Sequence, residues 1–333
     1  MASGHRIAIG GVTGAVGQTT LRILEQRNFP VSELRAYASA RSVGKTIKFK
    51  GESIPVELLS EDSFKGIDFA FFSAGSENSK KYASLAIKAG AIVIDKSSAF
   101  RMNAEVPLIV PEINGAAVRD HKGIIAVPNC TTIVTVMPLK PLHDVGRLKR
   151  VIATSFQAVS GAGVNGVAEL REQTIAWSKG EPMKASYFQH QIAFNVIPHI
   201  DKFVDGGYTG EEIKLVNEVR KILAIPDLPI SATTVRVPVF TAHSISVNAE
   251  TESPISASEA RAAFKRFPGL RVYDDPAQNH YPMPIMVEGQ DDCFVGRIRE
   301  DISCPNALNF WVVGDQLRKG AALNGVQIAE LLI

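Results

Sequence analysis

Among the 333 residues, the one best placed for covalent chemistry is Cys130, in the run Val127-Pro128-Asn129-Cys130-Thr131-Thr132. A predicted strand over 123–127 ends just before it, and an apolar helical stretch over 130–143 begins with it. A cysteine at a helix N-terminus feels the positive end of the helix dipole, which favours the nucleophilic thiolate. Asn129 and nearby backbone N–H groups are suited to stabilising an oxyanion. The plain alternative is an inert buried cysteine, and that reading is given to Cys293 and Cys304. Three cysteines at these spacings fit neither a disulfide framework nor a zinc site. They suit a reducing cytosol.

A second constellation is Gly11-Val12-Thr13-Gly14-Ala15-Val16-Gly17, between a predicted strand at 5–10 and a helix at 14–27. Glycines there permit a tight turn and close backbone approach to a pyrophosphate, which the helix N-terminus then receives. The spacing is Gly-x-x-Gly-x-x-Gly rather than the commoner Gly-x-Gly-x-x-Gly, so position after the first strand carries the argument. The second strand, expected at 34–39, ends in Ser39-Ala40-Arg41-Ser42 with no carboxylate to receive a ribose hydroxyl. Arg41 offers a charge-assisted fork for a 2′-phosphate, and the serines offer hydroxyl donors. These features point to NADP.

The surrounding elements must hold both constellations. Apolar runs at 46–49, 54–58, 67–73 and 91–95 alternate with a helix at 77–89, predicting a parallel sheet covered by helices. After residue 128 the pattern changes. Long strands at 149–158, 231–240, 244–252, 292–301 and 307–314, with a helix at 164–178, predict an α+β domain with a mainly antiparallel sheet. Leu317, Ala321, Val326 and Ala329 recur at helical spacing, giving a helix over 317–332. The expected fold class is therefore α/β, with a Rossmann-type dinucleotide domain over 1–127 and a catalytic and dimerisation domain over 128–314. The C-terminal stretch 315–333 is expected to return to the first domain. A net charge of +2 argues against a nucleic-acid protein. The start of the chain lacks a signal-type apolar stretch, and no ~18-residue apolar run suggests a membrane span. A cytoplasmic protein is expected.

The glycine turn, Ser39-Ala40-Arg41-Ser42, Ser97-Ser98-Ala99-Phe100-Arg101-Met102 and Pro128-Asn129-Cys130-Thr131-Thr132 occur in order along the chain. They are followed by Gln157 to Gly163, Glu211-Glu212-Ile213-Lys214, Arg236-Val237-Pro238-Val239 leading to His243, and Leu317 to Ala322. In this combination the sequence resembles the bacterial aspartate-semialdehyde dehydrogenase family over essentially the whole chain. The resemblance implies NADPH-dependent reductive dephosphorylation of aspartyl 4-phosphate through a Cys130 thioester, on the route to lysine, threonine and methionine. It implies a homodimer or a dimer of dimers, and no metal.

By the same resemblance, His243 is the acid/base. Its class of side chain titrates at ~6.5 when unperturbed, but seven histidines are present and spacing alone does not select this one. Arg236 grips the substrate α-carboxylate, Glu211 the α-amino group, and Lys214 the phosphate with Arg101 and Ser98. Gln157 touches the substrate or the surroundings of Cys130. The cofactor meets Gly11, Thr13, Gly14, Ala15 and Val16, then Ser39, Arg41, Ser42 and Ser73. Farther along it meets Ser160, Gly161, Gln316 and Asn324. From the residues themselves, Thr209 and Glu212 form a Thr-x-x-Glu helix capping box, which leaves Glu211 and Lys214 three apart on one face. Arg236 and His243 lie seven apart, an odd number, so one continuous strand would point them to opposite faces. A break between Pro238 and Ala242 is required if both face one substrate. Competing readings are a related N-acyl-amino-acid phosphate reductase or a phosphorylating glyceraldehyde-type dehydrogenase, a cysteine hydrolase, which would not need the glycine turn, and a non-catalytic binding paralogue.

Overall fold

The computed structural model describes residues 4–333. The reading of a chain start without a signal-type stretch rests partly on Met1 to Ser3, which lie outside the described residues. The chain divides into two compact units, Met1–Asn129 with Ala321–Ile333, and Cys130–Gly320.

In the first unit the strands are β1 (His5–Gly10), β2 (Val31–Ala38), β3 (Thr46–Phe49), β4 (Glu52–Leu58), β5 (Phe69–Phe72), β6 (Ile92–Asp95) and β7 (Ile124–Ala126). They form one sheet in the order β3-β4-β2-β1-β5-β6-β7. All pairings are parallel except the β3–β4 hairpin. Central strands of such a sheet are covered on both faces, so they read as continuous apolar runs. All four residues of β5, Phe-Ala-Phe-Phe, are buried. The helices are α1 (Ala15–Gln26), α2 (Ser76–Lys88) and the single turn α3 (Pro111–Asn114).

The β1–α1 connection shows why the glycines are needed. Gly11 takes φ +84°, and a Cβ there would lie 2.7 Å from the Ser73 carbonyl oxygen. A Cβ on Gly17 would lie 2.4 Å from the Gly11 oxygen and 2.6 Å from the Val12 Cα, so only glycine lets α1 settle onto the turn.

The second unit begins with α4 (Cys130–Gly146) and β8 (Leu148–Gln157), followed by α5 (Val164–Ser178), α6 (Gly210–Leu223), β9 (Ile230–Arg236) and β10 (His243–Thr251). It continues through α7 (Ala257–Arg266), β11 (Leu270–Val272), the single turn α8 (Pro284–Val287), β12 (Cys293–Glu300) and β13 (Ala307–Gly314). The sheet order is β11-β12-β13-β10-β8-β9. The three central pairings are antiparallel, while β8–β9 and β11–β12 are parallel. Helix α4 packs on this sheet and is apolar nearly all round, with residues 131–139 buried throughout. It carries Pro138 and Pro141 inside it, each of which removes one helical hydrogen bond, and the packing of its apolar surface offsets that loss.

Three sequence expectations are revised. The strand expected over 231–240 stops at Arg236, because the chain turns over 237–242 and Ala242 adopts φ +69° before β10 starts at His243. The helix expected over 317–332 opens with a π-helical turn at Arg318–Ala322, and only then continues as α9 (Leu323–Glu330). The Gly320 N–H bonds the Asp315 carbonyl at 3.0 Å, five residues back, while the Asp315 carboxylate takes the N–H groups of Leu317 and Arg318. Residues 315–320 consequently belong to the second unit, and the return to the first begins at Ala321. Helix α7, opened by a Ser256/Glu259 capping box, was not foreseen. In the first unit α9 is fastened by a two-pronged Arg27–Glu330 pair with both bonds at 2.7 Å, and by Asn324 Nδ2 donating to the Ile109 carbonyl at 2.8 Å.

Gly17→Ala should destabilise the protein by about 2–3 kcal/mol, the scale of overpacking against unyielding backbone. It should also weaken dinucleotide binding. An unfolding midpoint in urea equal to that of the parent would show that α1 can lift off the turn at no cost.

Candidate active site

The strand directions of the second sheet assemble one site. Parallel β8 and β9 end side by side, with Gln157 and Arg236 as register partners. Antiparallel β10 begins beside the same edge, where His243 pairs with Gly314 at the end of β13. Helix α4 starts there with Cys130. The break after Arg236 lets the chain present both Arg236 and His243, buried at 6% and 0% exposure.

Cys130 Sγ lies 3.5 Å from His243 Nε2. The other ring nitrogen, Nδ1, accepts the Ala158 N–H at 3.1 Å. An Nδ1 that accepts cannot also carry the proton, so the neutral ring holds it on Nε2, facing the sulfur. The Ala158 carbonyl accepts from Arg236 Nη1 at 2.7 Å. The Phe188 ring lies under the same guanidinium, 5.9 Å from Cζ. Burial lowers the pKa of Arg236 from the ordinary arginine value, opposed by the charges of Glu211 and Cys130. Gly161 completes the corner: a Cβ there would come within 3.0–3.1 Å of the His243 ring and of Arg236 Nη1.

Glu211 is buried, with Oε1 accepting from Gln157 Nε2 at 3.3 Å and Oε2 lying 3.4 Å from Lys214 Nζ. Lys214 Nζ also meets Asp201 Oδ2 at 2.5 Å. Burial works to lower the Lys214 pKa, but Glu211 and Asp201 outweigh it and hold the ammonium above the ordinary lysine value. For Asp201, burial works upward but is outweighed by Lys214 and the Lys202 N–H, leaving its carboxyl below the usual range. Glu212, next to Glu211 in sequence, has a different task. It closes the capping box with Thr209 and accepts the Thr234 N–H of β9 at 2.9 Å, fixing α6 to the sheet.

The second unit therefore brings together Cys130, His243, Gln157, Arg236, Glu211, Lys214 and Gly161. Ser160 and Gln316, expected against the cofactor, are bound into the scaffold. Gln316 Oε1 accepts the Ala242 N–H at 2.7 Å, and its Nε2 donates to Ser160 Oγ at 2.5 Å. The Ser160 hydroxyl donates to the Phe240 carbonyl. Both residues thus brace the 237–242 turn that delivers His243. In the first unit, Arg101 is buried and donates from Nε to the Val127 carbonyl at 3.0 Å and from Nη2 to the Lys96 carbonyl at 2.8 Å. It joins the loops after β6 and β7, with buried Asn129 closing the second of them. The Ser98 hydroxyl lies 3.1 Å from that of Ser76. Asn324 is fully buried in its bond to Ile109.

At the dinucleotide turn, Gly14 caps α1 without a side-chain bond, so the first N–H groups of the helix have no cap from that residue. Thr13 Oγ1 lies 3.3 Å from Ser42 Oγ, and the Ser73 hydroxyl donates to the Gly10 carbonyl at 3.1 Å. Ala15 and Val16 open the helix, while Ser39 and Arg41 lie exposed at the end of β2. This turn fits a dinucleotide, since glycine at 11 and 17 lets the chain pass tightly from β1 into α1 and so presents the helix N-terminus, which Gly14 leaves without a side-chain cap, to a pyrophosphate. Among the described residues no group of three or more His, Cys, Asp or Glu is placed to hold a metal.

Sequence reasoning missed Ala158, which acts through its backbone and has no side-chain signal. It also missed the support under Phe188. Buried Glu169 of α5 accepts N–H groups from Ser186, Tyr187 and Phe188. Gln173, one turn on, donates to the Lys184 carbonyl at 2.8 Å and accepts from Ile192 and Ala193 at 3.0 and 2.9 Å. The Glu-x-x-x-Gln spacing on one helical face was the available signal.

A dinucleotide-type parallel sheet in one unit and a cysteine–histidine pair in the other are the parts of a dinucleotide-dependent dehydrogenase. Residues 6–121 match the semialdehyde dehydrogenase NAD-binding domain, and residues 139–319 match the semialdehyde dehydrogenase dimerisation domain. The chain belongs to the aspartate-semialdehyde dehydrogenase family. The aspartate-semialdehyde dehydrogenase of Aquifex aeolicus is 54% identical over 99% of this chain and 98% of its own. That of Synechocystis is 48% identical over 100% and 98%. A crystal structure of aspartate semialdehyde dehydrogenase II from Vibrio cholerae complexed with ASA superposes with a TM-score of 0.96 at 44% identity, covering 99% and 98% of the two chains.

Gly161→Val should push His243 and Arg236 out of place and cut turnover on the order of 100-fold, as misplacement by about 1 Å does. The unfolding midpoint should change little. Steady-state kinetics beside a thermal melt checks this, and undiminished turnover would show that the corner is not tightly fitted.

Proposed function

We propose that the protein catalyses the reversible reductive dephosphorylation of L-aspartyl 4-phosphate to L-aspartate 4-semialdehyde, with NADPH as reductant and phosphate as product, in lysine, threonine and methionine biosynthesis. The observation that carries the reading is the Cys130–His243 pair set beside Arg236 and Glu211, an arrangement complementary to a free amino acid with both α-charges. The ASA complex of the Vibrio cholerae relative supports the same substrate class.

In this mechanism the Cys130 thiolate attacks the acyl carbon, the carbon–oxygen bond to phosphate breaks, and a thioester forms on Sγ. The reduced nicotinamide, when bound, supplies the hydride. The resulting thiohemiacetal oxyanion receives a hydrogen bond from His243 Nε2–H. Its collapse forms the aldehyde and expels the thiolate, which regains Nε2–H as its partner. Arg236 holds the α-carboxylate and Glu211 the α-ammonium. Gln157 orients Glu211 and the acyl group. Lys214 takes the phosphate, and Ser98 and Arg101 keep the same assignment. Asn129 is assigned to the surroundings of the oxyanion. A free α-ammonium is what an N-acyl substrate lacks, so Glu211 argues against the N-acyl-amino-acid phosphate reductases.

NADP rather than NAD is supported by the end of β2, where Arg41 is exposed in the turn Ala40–Ser42 and no acidic residue stands beside it. Gly11, Thr13, Gly14, Ala15, Val16, Ser39, Ser42 and Ser73 complete the proposed cofactor contacts of the first unit. A homodimer or dimer of dimers is supported by the dimerisation-domain match and by exposed Trp177, Phe194, Val196 and Phe203, each more than half accessible. Such apolar surface is unusual for a monomer. A cytoplasmic location suits three cysteines that form no disulfide.

Purified protein given aspartate semialdehyde, phosphate and NADP should form NADPH only when phosphate is present, and Cys130→Ala should abolish that signal while still binding the nucleotide. Absence of phosphate-dependent turnover by the folded parent would overturn the reaction. Arg41→Ala should raise the KM for NADP by about 10- to 100-fold, the range of one charge-assisted contact, and leave that for NAD unchanged. Equal effects on both would remove Arg41 from cofactor selection.

A further inference from the structure

Lys214 faces two carboxylates, one more than its charge can balance. Glu211 is buried and accepts from Gln157, and its charge also bears on Arg236. Asp201 belongs to no catalytic assignment, yet the chain is built to hold its carboxylate against Lys214. It takes φ +71°, a conformation uncommon for a residue with a side chain. The following segment folds back on itself, with Val204 N–H bonding the Tyr208 carbonyl and Gly210 N–H bonding the Lys202 carbonyl, both at 2.8 Å. This hairpin turns through Gly206 and Gly207, both at positive φ. Gly210, first residue of α6, has no Cβ, and one placed there would lie 2.8 Å from Asp201 Oδ2. The carboxylate thus occupies the start of α6 beside Lys214, where an anion is favoured both by the helix terminus and by the ammonium.

We propose that Asp201 is a specificity-determining residue: an internal carboxylate that occupies Lys214 and must yield it before phosphate can bind, thereby setting the affinity for phosphate. This rests on the reading of Lys214 as the phosphate ligand. Of the two carboxylates Asp201 is the one that can yield. Its side chain is 37% exposed against 8% for Glu211. Its Oδ1 already accepts the Lys202 N–H at 2.9 Å. Water and that N–H can satisfy it after Lys214 leaves, whereas a buried Glu211 would lose a partner with little compensation. With both carboxylates in place the charges of Asp201 and Glu211 cancel those of Lys214 and Arg236, so the group offers an incoming phosphate no net positive charge. Removing the Asp201 charge makes it net positive.

The test varies inorganic phosphate at saturating NADP and aspartate semialdehyde in the parent, Asp201→Asn, Lys214→Ala and the double variant. Asparagine is among the side chains best tolerated at positive φ, so the backbone is kept; Asp201→Ser serves as a second variant if the first folds poorly. Lys214→Ala should raise the KM for phosphate at least ~10-fold. Asp201→Asn should lower it by about three- to ten-fold, the scale of one partly exposed ion pair, leave the KM for aspartate semialdehyde within about twofold, and have no effect on the Lys214→Ala background. A phosphate KM that stays level or rises in Asp201→Asn, while Lys214→Ala raises it, would overturn the proposal and make Asp201 a support for Lys214. A phosphate KM indifferent to Lys214→Ala would remove the phosphate assignment of Lys214, and this proposal with it.

Discussion

Two backbone groups of one residue, the N–H and C=O of Ala158, anchor the active corner. The N–H fixes His243 through Nδ1, and the carbonyl holds Arg236 through Nη1. Ala158 can do both because β8 ends at Gln157, where its ladder bonds to neighbouring strands cease and its polar groups become available to side chains. Everything else at the corner secures that arrangement. Val159 N–H and Ser160 N–H bond the carbonyls of Val239 and Phe240, tying the segment after β8 to the turn before β10. Gln316 grips the same turn from the end of the second sheet. Side-chain chemistry at neutral pH is thus set by backbone groups that no substitution at position 158, short of proline, would remove.

Helix α6 solves a related problem with charge. Adjacent residues of a helix point about 100° apart, so Glu211 and Glu212 serve different neighbours. Glu212 turns to the helix start and to β9, giving α6 a fixed azimuth. Glu211 is then delivered to the site with Lys214 one turn on. Exposed, such a pair would be worth little. Here a buried carboxylate, a half-buried ammonium and the guanidinium of Arg236 share a small volume; the carboxylates hold the Lys214 ammonium above the ordinary lysine value, and for Arg236 the Glu211 charge opposes the lowering that burial causes.

Much of this was legible in the sequence, for definable reasons. Strands such as Phe69–Phe72 and Ile92–Asp95 declare themselves because a doubly covered parallel sheet demands continuous apolar runs. The capping box at Thr209 is a local pattern with a local cause, and it formed as read. The odd spacing of Arg236 and His243 required a break in the strand, and the turn over 237–242 supplies it. What escaped depended on long-range partners. No local pattern reveals that the Gln316 amide meets Ala242 and Ser160, 74 and 156 residues away. The π turn at 318–322 has the apolar periodicity of an α-helix, and only the Asp315 bonds shift its register. Asp201 lies in a loop with no motif, and its partner is 13 residues on across a hairpin.

The same geometry limits how the sulfur can be kept ionised. A second proton on His243 would have to sit on Nδ1, directly opposite the Ala158 N–H, replacing an acceptor with a donor. The arrangement therefore opposes an imidazolium and favours a neutral ring that donates from Nε2 toward the sulfur. The positive potential that a thiolate needs must then come from elsewhere. Two sources are at hand: the N-terminus of α4, where Cys130 is the first residue, and Arg236, whose charge the sulfur already senses. A histidine restricted to a single proton is a poor base for a thiol but a ready donor to an oxyanion formed on the carbon bonded to sulfur. In the proposed mechanism the corner therefore serves less to generate the nucleophile than to place a donor, Nε2–H, and the α4 terminus around the sulfur and around the oxygen charge that its attack would produce.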